Sequence, residues 1–347
     1  MNTQKADIRL LTTEELTSLV IAADQPAFRA KQLEEWIWKK HAASFAEMKN
    51  LGAKFTDWLE AHYTLNKVHI SEEQKSKDGT VKFGFRMADG NLVEGVLIPT
   101  ATRMTACISS QAGCSLTCKF CATGYMDLKR NLLHYEIYDQ VEIIRKKALA
   151  YYGIPLSNIV YMGMGEPLLN YKNVMSSISR ITSPAGMGMS PRRITVSTAG
   201  IAKMIKKLAD DDAAFEFALS LHAANDVKRS EIMPINEHNS LEALKDALLY
   251  FTDKTGTRVT FEYIIFQDFN DGLQDAEELW TFAQGIPCKI NIIEYNPIAL
   301  SDLVNTSSNR MHRFKAFLED RGMIVNVRRS RGRDVDAACG QLAIKEQ

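Results

Sequence analysis

The chain has 347 residues, 46% hydrophobic and 24% charged, which is enough apolar surface for a large core and excludes an intrinsically disordered class. Lys+Arg and Asp+Glu are equal at 42 each, so net charge is zero and no bulk electrostatic grip on nucleic acid is expected; RNA or DNA contact would need local patches. No apolar run reaches the roughly 18 residues of a membrane span and the N-terminus carries no apolar signal segment, so a cytoplasmic protein without membrane contact is expected.

The first 70 residues read as a small helical domain. Thr12 and Glu15 offer a capping box ahead of Leu16, Leu19 and Val20. Leu33, Trp36 and Ile37 predict a second helix over 28–40. Phe45, Met48, Leu51, Phe55 and Leu59 predict a third over 44–62. Residues 71–99 then read as a β-rich connection: alternation over 81–87, a turn at 88–91 and alternation over 93–98 predict a hairpin ended by Pro99.

From residue 100 to 334 short apolar runs alternate with amphipathic helices. Strands are predicted at 106–109, 159–162, 194–197, 215–220, 259–265 and 289–295, with helices such as 136–150 and 241–255 between them and a last strand at 323–328. Strands buried on both faces and alternating with helices indicate a parallel sheet, and six such units suit a partial (βα)6 barrel. The fold class is therefore α/β, and the active site of such a barrel lies at the C-terminal ends of the strands. A tail, 335–347, follows.

Six cysteines are present, and three of them, Cys114, Cys118 and Cys121, form a C-x3-C-x2-C triplet. Three thiolates can hold a metal centre, but a closed structural zinc site or a saturated [4Fe–4S] cluster wants four ligands. The plain alternative is a zinc knuckle completed by His134 or Cys107, although zinc sites usually carry a second pair of ligands. After the second strand stands GMGEP (163–167). Its glycines allow close backbone approach, and Glu166 offers a carboxylate to an ammonium group. RITVSTAG (193–200), SLH (220–222) and EYNP (294–297) put Ser197, Ser220, Leu221, His222 and Asn296 at successive strand ends. Taken singly, each reads as a capped strand end or a satisfied histidine; their common position argues for a site.

The isolated cysteines differ among themselves. Cys288 reads as an inert small hydrophobe. Cys339 lies among small and polar residues that suit a mobile tail. Four arginines in RRSRGR (328–333) could hold RNA phosphate and favour a thiolate nearby.

The triplet after the first barrel strand, with GMGEP after the second, resembles the radical S-adenosylmethionine superfamily. FRAKQLEEWI (28–37), VEGV (93–96), SLHA (220–223), IMPIN (232–236) and the Cys339 tail narrow the resemblance to the RlmN family of adenine-C2 RNA methyltransferases. The resemblance implies a [4Fe–4S] cluster on Cys114, Cys118 and Cys121. It implies S-adenosylmethionine, two per turnover, held by Gly165, Glu166, Ser197, Ser220, Leu221, His222 and Asn296. Cleaving it by one electron gives a 5′-deoxyadenosyl radical. Cys339 would carry the methyl group as S-methylcysteine, Glu94 would accept the C2 proton, and Cys107 would resolve the enzyme–RNA adduct through a transient disulfide with Cys339. The implied partners are 23S rRNA, tRNA and an electron donor such as flavodoxin or ferredoxin, and a monomer is expected. Sequence spacing alone would leave Glu94 as a solvated hairpin carboxylate. One departure is YMDL at 125–128, where the family commonly reads Gln-x-Gly-Phe. The rival readings are C8 methylation of the same rRNA adenosine, as in the related Cfr family, and a zinc RNA-binding protein without catalysis.

Overall fold

The structure, a computed structural model, describes residues 5–344; residues 1–4 and 345–347, the ends of the N-terminal segment and the tail, lie outside the described residues. Helix α1 (Thr13–Ala22) starts on the expected capping box: Thr12 Oγ1 accepts from Glu15 N at 3.1 Å, and Glu15 Oε2 accepts from Thr12 N at 2.7 Å. Helix α2 (Phe28–Glu34) runs into a π-helical turn, Glu35–Lys39, which completes the segment predicted as one helix. The third predicted helix is shorter than expected. Two 3-10 turns, Phe45–Glu47 and Lys49–Leu51, precede Gly52 at φ 80°, and only then does α3 (Ala53–His62) begin. The apolar spacing over 44–62 holds, but a residue in the left-handed region cannot continue a right-handed helix.

A strand absent from the sequence reading follows: β1 (His69–Lys75). It is mostly exposed and polar, so it offers no alternation to detect. It pairs antiparallel with β2 (Val81–Arg86), which pairs with β3 (Leu92–Pro99); these two are the predicted hairpin. The hairpin is continuous with the main sheet, because β3 pairs antiparallel with β4 (Met104–Cys107), setting Val96 opposite Cys107.

From β4 the sheet is parallel. Its remaining strands are β5 (Asn158–Tyr161), β6 (Ile194–Thr198), β7 (Glu216–Ser220), β8 (Val259–Ile265), β9 (Cys288–Glu294) and β10 (Val325–Arg328), and the order across the sheet is sequential from β1 to β10. The helices α4 (His134–Tyr152), α5 (Tyr171–Thr182), α6 (Ala202–Asp210), α7 (Asp226–Ile232), α8 (Leu241–Thr255), α9 (Leu273–Ala283) and α10 (Ser308–Glu319) fill the crossovers. This is the expected α/β parallel fold with a small helical N-terminal part. The strands β4 to β9 supply its six βα units. One core cluster runs from Ile8 to Leu342, so the N-terminal helices and the tail share an interior with the sheet. A second apolar cluster, with Leu116, Phe120, Ile232, Met233, Ile264 and Ile293, sits at the strand ends around the three triplet cysteines.

Candidate active site

The cysteine loop leaves β4 through a two-residue bridge, Gln111–Ala112 with Arg130–Asn131. Its backbone is fixed at both sides. Lys119 N donates to Ile232 O at 3.0 Å, Cys121 N to Cys118 O at 3.2 Å, and Ala122 N to Gly340 O of the tail at 2.7 Å. Cys114, Cys118 and Cys121 line one cavity of about 890 Å³, part of it open to solvent. Burial pushes the Cys114 thiol up to about 11 and raises those of Cys118 and Cys121. Left alone, all three would be protonated at neutral pH; bound metal deprotonates thiols outright and reverses that.

Among the described residues no three His, Cys, Asp or Glu side chains converge on a single metal ion. A [4Fe–4S] cluster is a wider object, with one thiolate per iron, and three cysteines in an apolar sleeve fit it. His134, a candidate zinc ligand, is committed elsewhere. Its Nε2 lies 2.9 Å from Arg9 O, and its ring packs on Trp38.

The cavity continues along the strand ends. Gly165 sits at φ 94°, and a Cβ there would lie 2.4 Å from Gln111 Cβ, so only glycine lets this turn pack. Gln111 Oε1 accepts from Glu166 N at 2.8 Å. The Glu166 carboxylate is buried and pushed up by that burial. Oε1 accepts from Leu168 N at 3.0 Å and Thr198 Oγ1 at 2.7 Å, and Oε2 from Ala199 N at 2.8 Å. A carboxylate offers about four acceptor sites, so Oε2 keeps one for an ammonium group in the cavity. Ser197 Oγ and Ser220 Oγ lie 3.3 Å apart on the same wall. His222, at φ 57°, accepts from Ile264 N through Nδ1 at 3.0 Å and takes Phe120 against its ring. Burial pushes His222 down to about 3, so it is a neutral wall of the cavity, with its free N–H on Nε2.

Two candidates stand apart from the cavity wall. Leu221 is fully buried in the main core and does not line the cavity; its carbonyl accepts from Arg229 Nε at 3.1 Å. Asn296 holds the tail: its Nδ2 donates to Cys339 O at 3.1 Å and its Oδ1 accepts from Arg333 Nε at 3.0 Å.

The tail is docked, not loose as its small polar residues suggested. Thr123 Oγ1 donates to Leu342 O at 2.6 Å, and Ala343 N donates to Glu94 Oε2 at 3.0 Å; Ala337, Ala338 and Leu342 are buried. Cys339 thereby lines the large cavity beside the triplet and, with Cys107, Arg328 and Met162, a smaller adjoining one. Cys107 is buried and its thiol is pushed up to about 12, by burial first and by Cys339 next, with Arg328 opposing.

The arginine run also differs from its sequence reading as an RNA-phosphate patch. Arg328 pairs with Glu262 at 3.0 Å, Arg331 donates to Pro99 O at 2.8 Å, and Arg333 pairs with Glu294 at 2.6 Å. Three of the four arginines are spent on holding the sheet edge and tail; Arg329 is exposed.

Glu94 is not a solvated hairpin carboxylate. It is buried, pairs with Lys82 at 3.2 Å and is raised by burial, with Lys82 opposing. Cys288 opens β9, half-buried, and its thiol is pushed up to about 11 by its surroundings.

Sequence reasoning missed Glu262. It is a buried carboxylate in the cavity wall, bonded by Arg328 and by Asn291 Nδ2 at 2.9 Å. The available signal was one charge inside the otherwise apolar strand VTFEYII.

Comparison with known proteins agrees with this geometry. A family model described as the radical SAM superfamily matches residues 108–279, and one described as the ribosomal RNA large subunit methyltransferase N-terminal domain matches residues 7–65. The chain is 60% identical to a probable dual-specificity RNA methyltransferase RlmN of Cytophaga hutchinsonii, over 99% of this chain and 94% of that one. It is 49% identical to the protein so named in Christiangramia forsetii, over 99% and 97%. A crystal structure of a radical SAM methyltransferase from Sphaerobacter thermophilus superposes with a TM-score of 0.91 at 38% identity, covering 97% of this chain and 99% of that one. The cavity of three cysteines at the mouth of a parallel sheet, the docked cysteine tail and these full-length likenesses place the chain in the RlmN family of radical SAM RNA methyltransferases.

Proposed function

We propose that this enzyme methylates C2 of an adenosine in the peptidyl-transferase region of 23S rRNA and an adenosine beside the anticodon of tRNA. It acts in the cytoplasm as a monomer and uses two molecules of S-adenosylmethionine per turnover. The dual-specificity names of its relatives support two RNA substrates. The observation that carries the chemistry is the position of Cys339, which lines both the cavity of the three triplet cysteines and the smaller cavity of Cys107.

Adenine C2 lies between two ring nitrogens, is electron-poor and has no lone pair, so it cannot attack a methyl donor. Cys114, Cys118 and Cys121 would hold a [4Fe–4S] cluster. Gly165, Glu166, Ser197, Ser220, Leu221 and His222 would hold S-adenosylmethionine, Leu221 through its backbone, and Asn296 would keep the tail against it. When bound, these groups supply a low-potential electron, delivered by a flavodoxin or ferredoxin, and from it a carbon radical.

Cys339 does the carrying. Its thiolate takes a methyl group by displacement at carbon and becomes S-methylcysteine; loss of one hydrogen lets that carbon bond to C2, joining tail and RNA. Glu94, buried and anchored to the tail through Ala343 N, takes the C2 proton, and the unpaired electron left on the adduct would return to the cluster that supplied the first electron. Cys107 then attacks the Cys339 sulfur. The carbon–sulfur bond breaks, the freed carbon takes a proton, and a Cys107–Cys339 disulfide remains for two-electron reduction. The segment 1–70 serves as an RNA-binding module, 71–99 carries the base, 100–334 forms the radical core and 335–347 carries the methyl.

The test is Cys107→Ala, purified from cells. The mutant should carry RNA covalently joined to Cys339, located by nuclease digestion and mass spectrometry. RNA-free Cys107→Ala protein that still turns over would remove Cys107 from the mechanism.

A further inference from the structure

Arg229, on α7, is fully buried, and among the described residues no carboxylate is bonded to its guanidinium. Nε donates to Leu221 O at 3.1 Å, Nη1 to Asn236 Oδ1 at 2.7 Å, and Nη2 to Ala199 O at 2.5 Å and Ser220 O at 3.2 Å. All four acceptors are neutral. A buried cation is ordinarily paired, because taking it out of water without a counter-charge is costly. Two of its acceptors, Ala199 and Ser220, line the same cavity as Cys118, and Cys118 packs on the apolar cluster that holds Ala199 and Ile232 of α7; of the groups that could balance the cation, Cys118 as a thiolate stands first and Asp226 second. Asp226 Oδ1 is already engaged by Asn236 Nδ2 at 2.8 Å and Leu241 N at 3.0 Å, and its residue is exposed.

The counter-charge that Arg229 lacks is therefore the thiolate of the cysteine site. The fork also grips Ala199, Ser220 and Leu221, at the ends of β6 and β7, while the α7 end holds the loop through Lys119 N and Ile232 O. Helix α7 thus ties the cavity wall, through the Arg229 fork, to the cysteine loop, through Ile232 O, and carries a buried positive charge at the wall that Cys118 shares.

We infer that Arg229 is a positioning residue that raises the reduction potential of the cluster, by setting an unpaired buried cation beside the Cys118 thiolate. This rests on the assignment of Cys114, Cys118 and Cys121 as cluster ligands. Three thiolates leave an oxidised [4Fe–4S]2+ site with net negative charge, and an added electron makes it more negative. A nearby buried cation stabilises the reduced form more than the oxidised one, and net charge and burial are known levers on such potentials.

The experiment is an anaerobic redox titration of the reconstituted full chain, without RNA or S-adenosylmethionine, with dithionite as reductant. The cluster is followed by visible absorption and electron paramagnetic resonance, and iron is counted for each protein. Arg229→Gln should hold about four irons per chain and lower the reduced-to-oxidised ratio at fixed potential about tenfold, equivalent to about 59 mV for one electron. Arg229→Lys, which keeps the charge, should stay within about threefold of the parent on the same scale. Asp226→Asn removes the competing negative charge at an exposed position and should move the ratio the other way; it decides the matter if Arg229→Gln does not fold. Iron-loaded Arg229→Gln with the parent's potential overturns the inference, as does Asp226→Asn with an unchanged or lowered potential. Parent protein that holds no iron overturns the cluster assignment itself, and the inference with it.

Discussion

Glu94 Oε2 accepts a hydrogen bond at 3.0 Å from the backbone N–H of Ala343, four residues beyond Cys339 and 249 residues away in the chain. The proposed base and the segment of the proposed methyl carrier are thus fastened together, and the carboxylate is buried where the tail docks. Burial raises the Glu94 pKa above that of ordinary glutamate, with Lys82 opposing. Proton abstraction should therefore fail as pH falls through that raised value, at a higher pH than for a solvated glutamate. The sign for stability is the reverse: the carboxyl's contribution is present below the ordinary glutamate pKa and is lost as pH rises through the raised one. Glu94→Gln should slow release of methylated RNA by about 10²–10⁴-fold and leave methylation of Cys339 intact. Quenched-flow analysis of the adduct checks this; an unchanged release rate would exclude Glu94 as the base.

Of the three arginines that line the smaller cavity, Arg328 is the one that acts on both cysteines, and it opposes the burial that leaves the Cys107 thiol at about 12. Arg328→Gln should slow attack of Cys107 on the adduct at least roughly tenfold and move the rising limb of that step to higher pH. It also strands the buried Glu262, at about 1–3 kcal/mol. Arg328→Lys should restore part of the rate. A resolution step with the parent's pH profile in Arg328→Gln would show that the arginine acts on the fold alone.

Gly165→Ala places a methyl group 2.4 Å from Gln111 Cβ at a φ of 94°. Strain of this kind costs about 1–3 kcal/mol. It displaces the Gln111 contact that orients Glu166. Calorimetry should show S-adenosylmethionine affinity falling at least about tenfold, as the loss of a positioned polar contact of about 1.4 kcal/mol or more requires. Undiminished binding would separate Gly165 from the cofactor site.

Asn296→Ala frees the Cys339 carbonyl and takes one of its two partners from Arg333, which keeps Glu294. Hydrogen exchange at Ala122 N, which donates to Gly340 O, and at Ala343 N should accelerate at least about tenfold as local opening becomes easier. Iron content should stay that of the parent. Unchanged protection at both amides would mean the tail docks without Asn296.

The sheet was legible because buried parallel strands write themselves as apolar runs. The predicted 259–265 and 241–255 coincide with Val259–Ile265 and Leu241–Thr255, the latter bounded by Ser240, whose hydroxyl accepts from Ala243 N, and by Gly256. The triplet, GMGEP and the strand-end residues were readable as local motifs. What stayed hidden depends on contacts far apart in sequence. The tail's docking on Thr123, Asn296 and Glu94 leaves no periodicity, so Cys339 read as mobile and Glu94 as solvated. The arginine run looked like a phosphate patch because the acceptors of Arg328, Arg331 and Arg333 lie 37 to 253 residues away. The polar edge strand β1 had no alternation to read, and the 44–62 pattern gave no weight to Gly52.

The central claim is methylation of adenine C2 by a methyl group carried on Cys339. It is tested most directly by nucleoside mass spectrometry of 23S rRNA and tRNA, digested separately, from cells with the parent gene, with Cys339→Ala and with neither. The account predicts 2-methyladenosine in both RNAs with the parent alone. Appearance of 8-methyladenosine without 2-methyladenosine, or 2-methyladenosine made by Cys339→Ala, would contradict it.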